Sequence, residues 1–253
     1  MTNKSQTQPS EIRHPYFDSI HNLLEKIEQT QMPAIHAAAH LFAETIINEG
    51  IIHIFGSGHS HIIAEEAFFR AGGLVQVNAI LDPGLMLHLS AAGSTILERL
   101  PGYATIILDR YSFEPADLMV VISNSGRNSA PVEAAIYGHN KGLKVVALTS
   151  VESYKQTTSR HPSGKLLPEF SDVIIDTCTP EGDAALRIDG LPEAIGPTST
   201  ILGASIINSI IYEAVKEVLS CGKEPSIFTS ANVDSNTSLV DSLGKFKERV
   251  RHS

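Results

Sequence analysis

Residues 118–128 read Leu-Met-Val-Val-Ile-Ser-Asn-Ser-Gly-Arg-Asn, an apolar run that passes directly into a turn of small polar residues. Five consecutive apolar residues bounded by a turn signal are typical of a strand that is buried on both faces of a parallel sheet. The residues after the turn predict a helix over 130–141. A strand, a polar turn and a helix in this order indicate an α/β fold.

The same unit recurs along the chain. Strands are predicted at 51–55, 74–77, 118–122, 144–148 and 173–175. Helices are predicted between the strands, and a long, apolar one is predicted over 198–219. This alternation predicts a three-layer, doubly wound α/β fold with a five-stranded parallel sheet in the flavodoxin-like order 2-1-3-4-5.

The two ends of the chain differ from this central region. Apolar residues at helical spacing over 16–49, interrupted at Gln31-Met32-Pro33, predict two front helices. The tail after Pro225 is polar, with a short basic helix predicted near 245–251. We therefore expect an N-terminal tail and helical extension (1–50), an α/β domain (51–221) and a C-terminal tail that packs on the domain (222–253).

Composition narrows the possible classes of function. The chain has 253 residues, 42% of them hydrophobic, which excludes wholesale disorder. Its 19 Lys and Arg against 28 Asp and Glu give a net charge of −9, so we expect neither nucleic acid nor an anionic membrane as a partner. Neither a membrane span nor a signal peptide is predicted. Cys178 and Cys221 lack disulfide or zinc spacing, which favours a cytoplasmic location.

Two hydroxyl-rich turns carry the functional signal, one after the first strand (56–60) and one after the third (123–128). Each opens into a helix, whose first N–H groups are unpaired and favour an anion. In the order 2-1-3-4-5 both turns face the crevice where open α/β sheets bind ligands. The predicted substrate-binding residues are Ser57, Gly58, His59, Ser60, Ser123, Asn124, Ser125, Gly126, Arg127 and Asn128.

Two other interpretations of these turns stay open. Ser123 and Ser125 could simply cap a helix. The Gly56-x-Gly58 pattern could bind a dinucleotide, but the third glycine position holds His61 and the expected acidic residue is represented only by Asp82. We therefore predict no nucleotide or other cofactor.

The segments GSGHS, ADLMVVISNSGRN and GLKVVALTS resemble the sugar isomerase (SIS) domain of phosphosugar-binding proteins. Together with AEEAFFRAGG and SRHPSGK, they are similar to a group of bacterial proteins with a single SIS domain. The resemblance implies a five-stranded parallel sheet, a homodimer with active sites near its interface, and a phosphorylated sugar as ligand. It also implies that Ser60, Ser123 and Ser125 hold the phosphate, with Asn128 at a position where many members have threonine.

The resemblance favours an isomerase of an amino-sugar or hexose phosphate. Such a reaction needs a base and an acid, for which Glu65 and His88 are predicted as the catalytic pair. Glu181 and Asp183 follow the fifth strand and could bind sugar hydroxyls. A non-catalytic phosphosugar sensor and a phosphosugar lyase or etherase are the alternatives. The etherase is disfavoured because Arg70 stands where related branches place a catalytic glutamate.

Two further features bear on ligands. Arg127 and the segment Ser159-Arg160-His161 could bind a second anionic group or could simply lie on the surface. His59 and His61 alone lack the spacing of metal ligands, so no metal site is predicted.

Overall fold

The computed structural model describes residues 14–230 and 242–252. Its helices are α1 (Pro15–Ile47), α2 (Ser60–Ala67), α3 (Ala91–Arg99), α4 (Tyr103–Leu108), α5 (Ser129–Asn140), α6 (Val151–Lys155) and α7 (Ser199–Ser220). Its strands are β1 (Ile52–Gly56), β2 (Val77–Ile80), β3 (Leu118–Ile122), β4 (Lys144–Thr149), β5 (Val173–Asp176), β6 (Ala184–Leu186) and β7 (Ile195–Pro197).

The central sheet is parallel and has the order β2-β1-β3-β4-β5, which confirms the predicted fold class. Every residue of β1 and β3 is buried. One face packs against α1, α2 and α7 through residues such as Phe42 and Ile206. The other face packs against α4 and α5, where Phe55 and Val121 contact Ile107 and Ala134. Burial of both faces is why these strands are continuous apolar runs.

The second strand lies later in the chain than 74–77. Its register pairs Val77 with Ile52 and Ile80 with Phe55. Leu74 instead forms an isolated antiparallel bridge with Ile227, which precedes the gap in the described residues. The Gln76 amide donates to the Gly50 carbonyl at 2.8 Å and marks the end of the turn before the strand.

The prediction of two front helices is wrong, because α1 is a single helix of 33 residues that contains Pro33. An interior proline removes one helical hydrogen bond and costs about 3 kcal/mol. Burial of Ile27 and Ile35 on either side of Pro33, together with Phe42, offsets that cost, because all three belong to the core against α7. The helix ends at Asn48, two residues before Gly50.

Two further elements differ from expectation. The antiparallel pair β6–β7 follows β5 and was not predicted, since its strands have only three residues each. The basic helix expected near 245–251 is a short 3-10 helix, Gly244–Phe246, followed by turns. Within the ranges described, no helix is long and apolar enough to cross a bilayer.

The end of the chain is fixed to the sheet by a buried ionic cluster. Asp117 accepts hydrogen bonds from the Ile51 amide (2.8 Å), from His53 Nε2 (3.2 Å) and from Arg249 Nη2 (2.6 Å). Burial opposes ionisation of Asp117, but the bonds from His53, from the Glu114 and Ile51 amides and from Arg249 together lower its pKa to about 2. The carboxylate therefore stabilises the folded chain where β1, β3 and the C-terminal segment meet.

We predict that Asp117→Asn lowers the free energy of unfolding by about 3 kcal/mol at pH 7, because it leaves the largely buried Arg249 guanidinium without its buried counter-ion. The folded-state pKa is lowered, so this contribution is present above the ordinary value of 3.8 and is lost as the pH falls towards about 2. Urea unfolding at pH 7 and pH 3 measures both effects. Glu114→Gln removes the exposed acid on Arg249 and should cost less than about 1 kcal/mol; equal losses in both variants would contradict the prediction.

Candidate functional site

A cleft of about 460 Å³ opens at the carboxyl ends of the central strands. Both hydroxyl-rich turns border it, together with residues that follow β4 and β5. Every described residue of its lining is polar or glycine: His59, Ser60, Glu98, Ser123, Asn124, Ser125, Arg127, Asn128, Ser153, Gln156, Thr157, Glu181, Gly182, Asp183 and Ser199. Such a lining suits a ligand that is itself covered with hydrogen-bonding groups.

The first turn is shaped by glycines. A Cβ on Gly56 would lie 2.5 Å from the Ser60 carbonyl oxygen and 2.8 Å from the His61 nitrogen, so only glycine lets α2 begin this close to β1. Gly58 has a φ of +55° and donates its N–H to the Leu85 carbonyl at 2.9 Å. This conformation brings Ser60 into the cleft at the first residue of α2.

Leu85 itself belongs to a loop that is fixed by Asp82. The carboxylate accepts hydrogen bonds from Tyr103 Oη at 2.8 Å and from the Gly84 N–H at 3.0 Å, and it pairs with Arg110. Burial and the hydrogen bond to Asp82 raise the pKa of Tyr103 to about 12. Asp82 therefore fixes the loop whose Leu85 carbonyl accepts the hydrogen bond from Gly58 of the first turn.

The second turn is held by its own backbone and by β4. The Gly126 N–H donates to Ser123 Oγ at 3.2 Å, and Gly126 has a φ of +59°. A Cβ there would meet Thr149 Oγ1 at 3.0 Å, so glycine is needed for both reasons. Among the residues that the structure describes, the Ser123 hydroxyl donates no hydrogen bond, so it can donate one into the cleft.

The two asparagines of this turn have defined orientations. Asn124 Oδ1 accepts from Thr179 Oγ1 at 2.6 Å and from Thr177 Oγ1 at 3.1 Å. Asn128 Oδ1 accepts from Arg160 Nη1 at 2.9 Å. Because each oxygen is occupied, each amide presents its NH₂ group as a donor, and neither Nδ2 donates to any described residue.

Carboxylates also line the cleft. Glu98, near the end of α3, accepts a hydrogen bond from Ser57 Oγ at 2.7 Å through Oε1, and its Oε2 has no partner among residues 14–230 and 242–252. Glu181 is exposed at the rim. Asp183 is engaged differently, because it caps α7: its oxygens accept from the Ser199 N–H at 2.7 Å and from Ser199 Oγ at 2.6 Å.

The structure brings seven of the ten predicted binding residues into the lining of the cleft: His59, Ser60, Ser123, Asn124, Ser125, Arg127 and Asn128. Ser57, Gly58 and Gly126 support the two turns from behind. Glu65 and His88 are both exposed and lie outside the lining. Glu65 Oε2 is 3.9 Å from His61 Nε2, so it faces along α2. A catalytic role for Glu65 and His88 stays a prediction.

Sequence reasoning missed Glu98, the residues Ser153, Gln156 and Thr157 after β4, and Ser199 at the start of α7. Ser153, Gln156 and Thr157 could have been predicted from their position after β4, because the carboxyl end of β4 lies at the same edge of the sheet as those of β1 and β3. Among the described residues, no group of three His, Cys, Asp or Glu side chains is arranged to hold a metal ion.

A family model described as the SIS domain matches residues 15–150, which is more than half of the chain. The chain belongs to the SIS domain family. Along most of its length this SIS protein is also similar to a UPF0309 protein of Caldanaerobacter subterraneus, with 43% identity over 244 residues that cover 94% of this chain and 98% of the relative. The SIS family membership that the two turns and their neighbouring segments suggested is therefore confirmed.

Two solved structures share the fold. The phosphoheptose isomerase of Neisseria gonorrhoeae has a TM-score of 0.54 at 18% identity, with 81% of this chain and 96% of that chain covered. The NanR protein of Vibrio vulnificus, complexed with ManNAc-6P, has a TM-score of 0.50 at 16% identity, with 92% and 67% covered. At such identities the likeness shows the fold alone.

We predict that Asp183→Ala lowers the free energy of unfolding by about 1–2 kcal/mol, because α7 loses its N-terminal cap. Chemical denaturation measures the change. Glu181→Ala is the matched control, since Glu181 lies two residues away, is exposed and has no hydrogen bond in the part of the chain described; it should change stability by less than about 0.5 kcal/mol. A destabilising Glu181→Ala and a neutral Asp183→Ala would reverse the assignment.

Proposed function

We propose that this SIS protein binds a phosphorylated sugar in the cleft, with the phosphate on Ser60, Ser123, Ser125 and Asn128. The hydroxyls of Ser60 and Ser125 have no hydrogen-bond partner among the described residues. A phosphate monoester accepts hydrogen bonds and carries about 1.5 to 2 negative charges at pH 7. A phosphate is therefore suited to the serine hydroxyls that lie where α2 and α5 begin.

The observation that carries the proposal is the fixed orientation of Asn124 and Asn128. An asparagine that could turn either edge to the cleft would suit a donor or an acceptor equally. Here Thr177, Thr179 and Arg160 occupy the amide oxygens. Both side chains therefore present their NH₂ groups as donors to a ligand, which suits an anion.

We extend the proposal to catalysis, with an aldose–ketose isomerisation of an amino-sugar or hexose phosphate as the reaction. Glu98 lies in the same cleft as the phosphate-binding turns and has one free carboxylate oxygen. As general base it would take the proton from the carbon beside the carbonyl and return it to the former carbonyl carbon through an enediol, while the hydroxyl proton on the first carbon passes to the former carbonyl oxygen. Ser57 would orient Glu98 through the 2.7 Å hydrogen bond. The negative charge of Glu98 and Glu181 also suits an amino-sugar.

Glu65 and His88, the catalytic pair predicted from the sequence, are the alternative to Glu98 in this proposal. Glu65 lies on the helix that begins with Ser60, and His88 follows the loop fixed by Asp82. Movement of either would be needed to bring it into the lining. Glu98 needs no such movement, so we assign it the proton transfer.

A phosphosugar sensor is the second candidate. Its support is that α3, which carries Glu98, also exposes Ile96, and the adjoining Leu100 and Ile106 are exposed as well. An apolar surface on the segment that contacts a ligand is suited to report its presence to a partner. We also propose a homodimer, because Tyr212 and Leu219 of α7 are more than half exposed and offer apolar surface to a second copy of the chain. Turnover of the bound sugar separates the enzyme from the sensor.

We expect one sugar phosphate from a panel to raise the melting temperature, and the matching free sugar and NAD to have no effect. At about 100 times its dissociation constant a ligand stabilises the folded chain by about 2.7 kcal/mol, which a thermal-shift assay detects. Ser125→Ala should weaken binding of that sugar phosphate about 10- to 100-fold, as expected for a hydrogen bond to a charged group.

The matched control is Ser205→Ala, since Ser205 is on α7 outside the cleft and its hydroxyl bonds within its own helix. The Ser205→Ala variant should bind the sugar phosphate with the same affinity as the unmodified chain. Stabilisation by NAD alone, or unchanged affinity in Ser125→Ala, would refute the phosphosugar site.

For the isomerase we predict that Glu98→Gln lowers kcat by about 100-fold or more, because the amide cannot accept the proton. It should leave the dissociation constant of the sugar phosphate within about threefold, because the Glu98 carboxylate only accepts hydrogen bonds and therefore makes none to the phosphate. Glu65→Gln is the comparison: loss of kcat there, with an active Glu98→Gln, would return the role to α2. Isomerisation followed by NMR of the two sugar forms provides the measurement.

A further inference from the structure

Three arginines meet beside the cleft, where α5 begins. Arg99 ends α3, Arg127 lies in the second turn, and Arg160 lies between α6 and β5. Ser129 Oγ is within hydrogen-bond distance of the carbonyl oxygens of Arg99 (3.0 Å) and Arg160 (3.3 Å). The Arg160 N–H donates to the Arg127 carbonyl at 2.8 Å. One hydroxyl and one backbone bond therefore hold three separate segments, each with a guanidinium, together.

These arginines lack the acidic partners that others in the chain have. Arg110 and Arg249 form ion pairs with Asp82 and Asp117. No carboxylate within the described ranges lies within 4.0 Å of a guanidinium nitrogen of Arg99, Arg127 or Arg160. Three positive charges are thus held near one another without a direct ion pair, and the negative charge of Glu98 acts on Arg160 only from beyond that distance.

Two observations favour an anion beside these arginines. Burial, followed by the positive charges of Arg127 and Arg99, lowers the pKa of Arg160. Arg127 lines the cleft, and its Nε is a buried donor with no hydrogen-bond partner. An unsatisfied buried donor on a charged group costs free energy, which an anion at this position would recover.

The phosphate group proposed above has sufficient donors without these guanidiniums. Three serine hydroxyls, the asparagine amides and two helix starts already serve it, and of the three arginines only Arg160 contributes indirectly, through the Asn128 oxygen. The unpaired charge of Arg127 therefore points to a different group of the same ligand.

We infer that the substrate carries a second anionic group besides its phosphate, and that Arg127, with Arg99 and Arg160 beside it, binds that group. The inference rests on the proposed phosphosugar site. A guanidinium binds carboxylate and phosphate alike through paired N–H donors. The substrate class is accordingly a phosphorylated sugar acid or a sugar bisphosphate.

Isothermal titration with two matched pairs of ligands tests the inference. Glucitol 6-phosphate and 6-phosphogluconate differ by a carboxylate, and fructose 6-phosphate and fructose 1,6-bisphosphate differ by a second phosphate. In one of the two pairs, we expect the ligand with two anionic groups to bind at least about tenfold tighter than the ligand with one. The pair that shows the difference identifies the second group as carboxylate or phosphate.

Arg127→Gln should reduce that ratio to about one, by weakening chiefly the ligand with two anionic groups. Lys141→Gln removes the same charge at the far end of α5, away from the cleft, and should preserve the ratio. Arg99→Gln, at an exposed residue, is the second variant if Arg127→Gln fails to fold; it should also reduce the ratio.

A ratio near one in the unmodified chain, while the single phosphates bind, would overturn the inference and leave the proposed function standing. An equal loss for both members of a pair in Arg127→Gln would also overturn it, because Arg127 would then serve the phosphate. Failure of all four ligands to bind, together with an unresponsive panel of sugar phosphates, would refute the proposed function as well.

Discussion

The parallel pairing of β1 with β3 places Gly56 beside Ile122. The turns that follow these residues therefore leave the sheet side by side, although 66 positions separate the two residues along the chain. If β2 or β4 separated these strands, the hydroxyls of Ser60 and Ser125 would stand apart. The crossover connections of the SIS fold thus assemble the site from two segments that are each too short to enclose a ligand.

The remaining strands hold the site in a defined orientation. Thr177 and Thr179 follow β5 and reach across the end of β4 to the amide of Asn124, while Arg160 fixes Asn128 from the connection before β5. The polarity of the cleft wall is consequently decided by residues that barely touch the cleft. Preorganised donors lose little conformational entropy on binding, which makes such an arrangement selective for anions.

The sequence allowed accurate prediction of features whose signal is local. A buried strand that ends in glycine or serine is recognised from a few residues, which is why β1, β3, β4 and both turns were located. Pro33 was taken as a break because local propensity cannot register the apolar face that α1 buries against α7. Glu98 was missed for the same reason, since α3 has little core face of its own and only the tertiary fold brings it to Ser57.

Asp183 shows that a residue placed correctly from the sequence can still be unavailable to a ligand. Its position after β5 correctly indicated the binding edge of the sheet, yet its oxygens are occupied by the first residues of α7. Residue type and sheet edge together define a set of candidates, and hydrogen bonding then divides that set into supporting and free groups. By that criterion the groups that the cleft offers a ligand include the hydroxyls of Ser60 and Ser125, Glu98 Oε2, the two asparagine NH₂ groups and Arg127 Nε. A ligand that lacked a matching acceptor or donor would leave one of these groups desolvated and unpaired, which is how a wholly polar cleft discriminates between similar sugars.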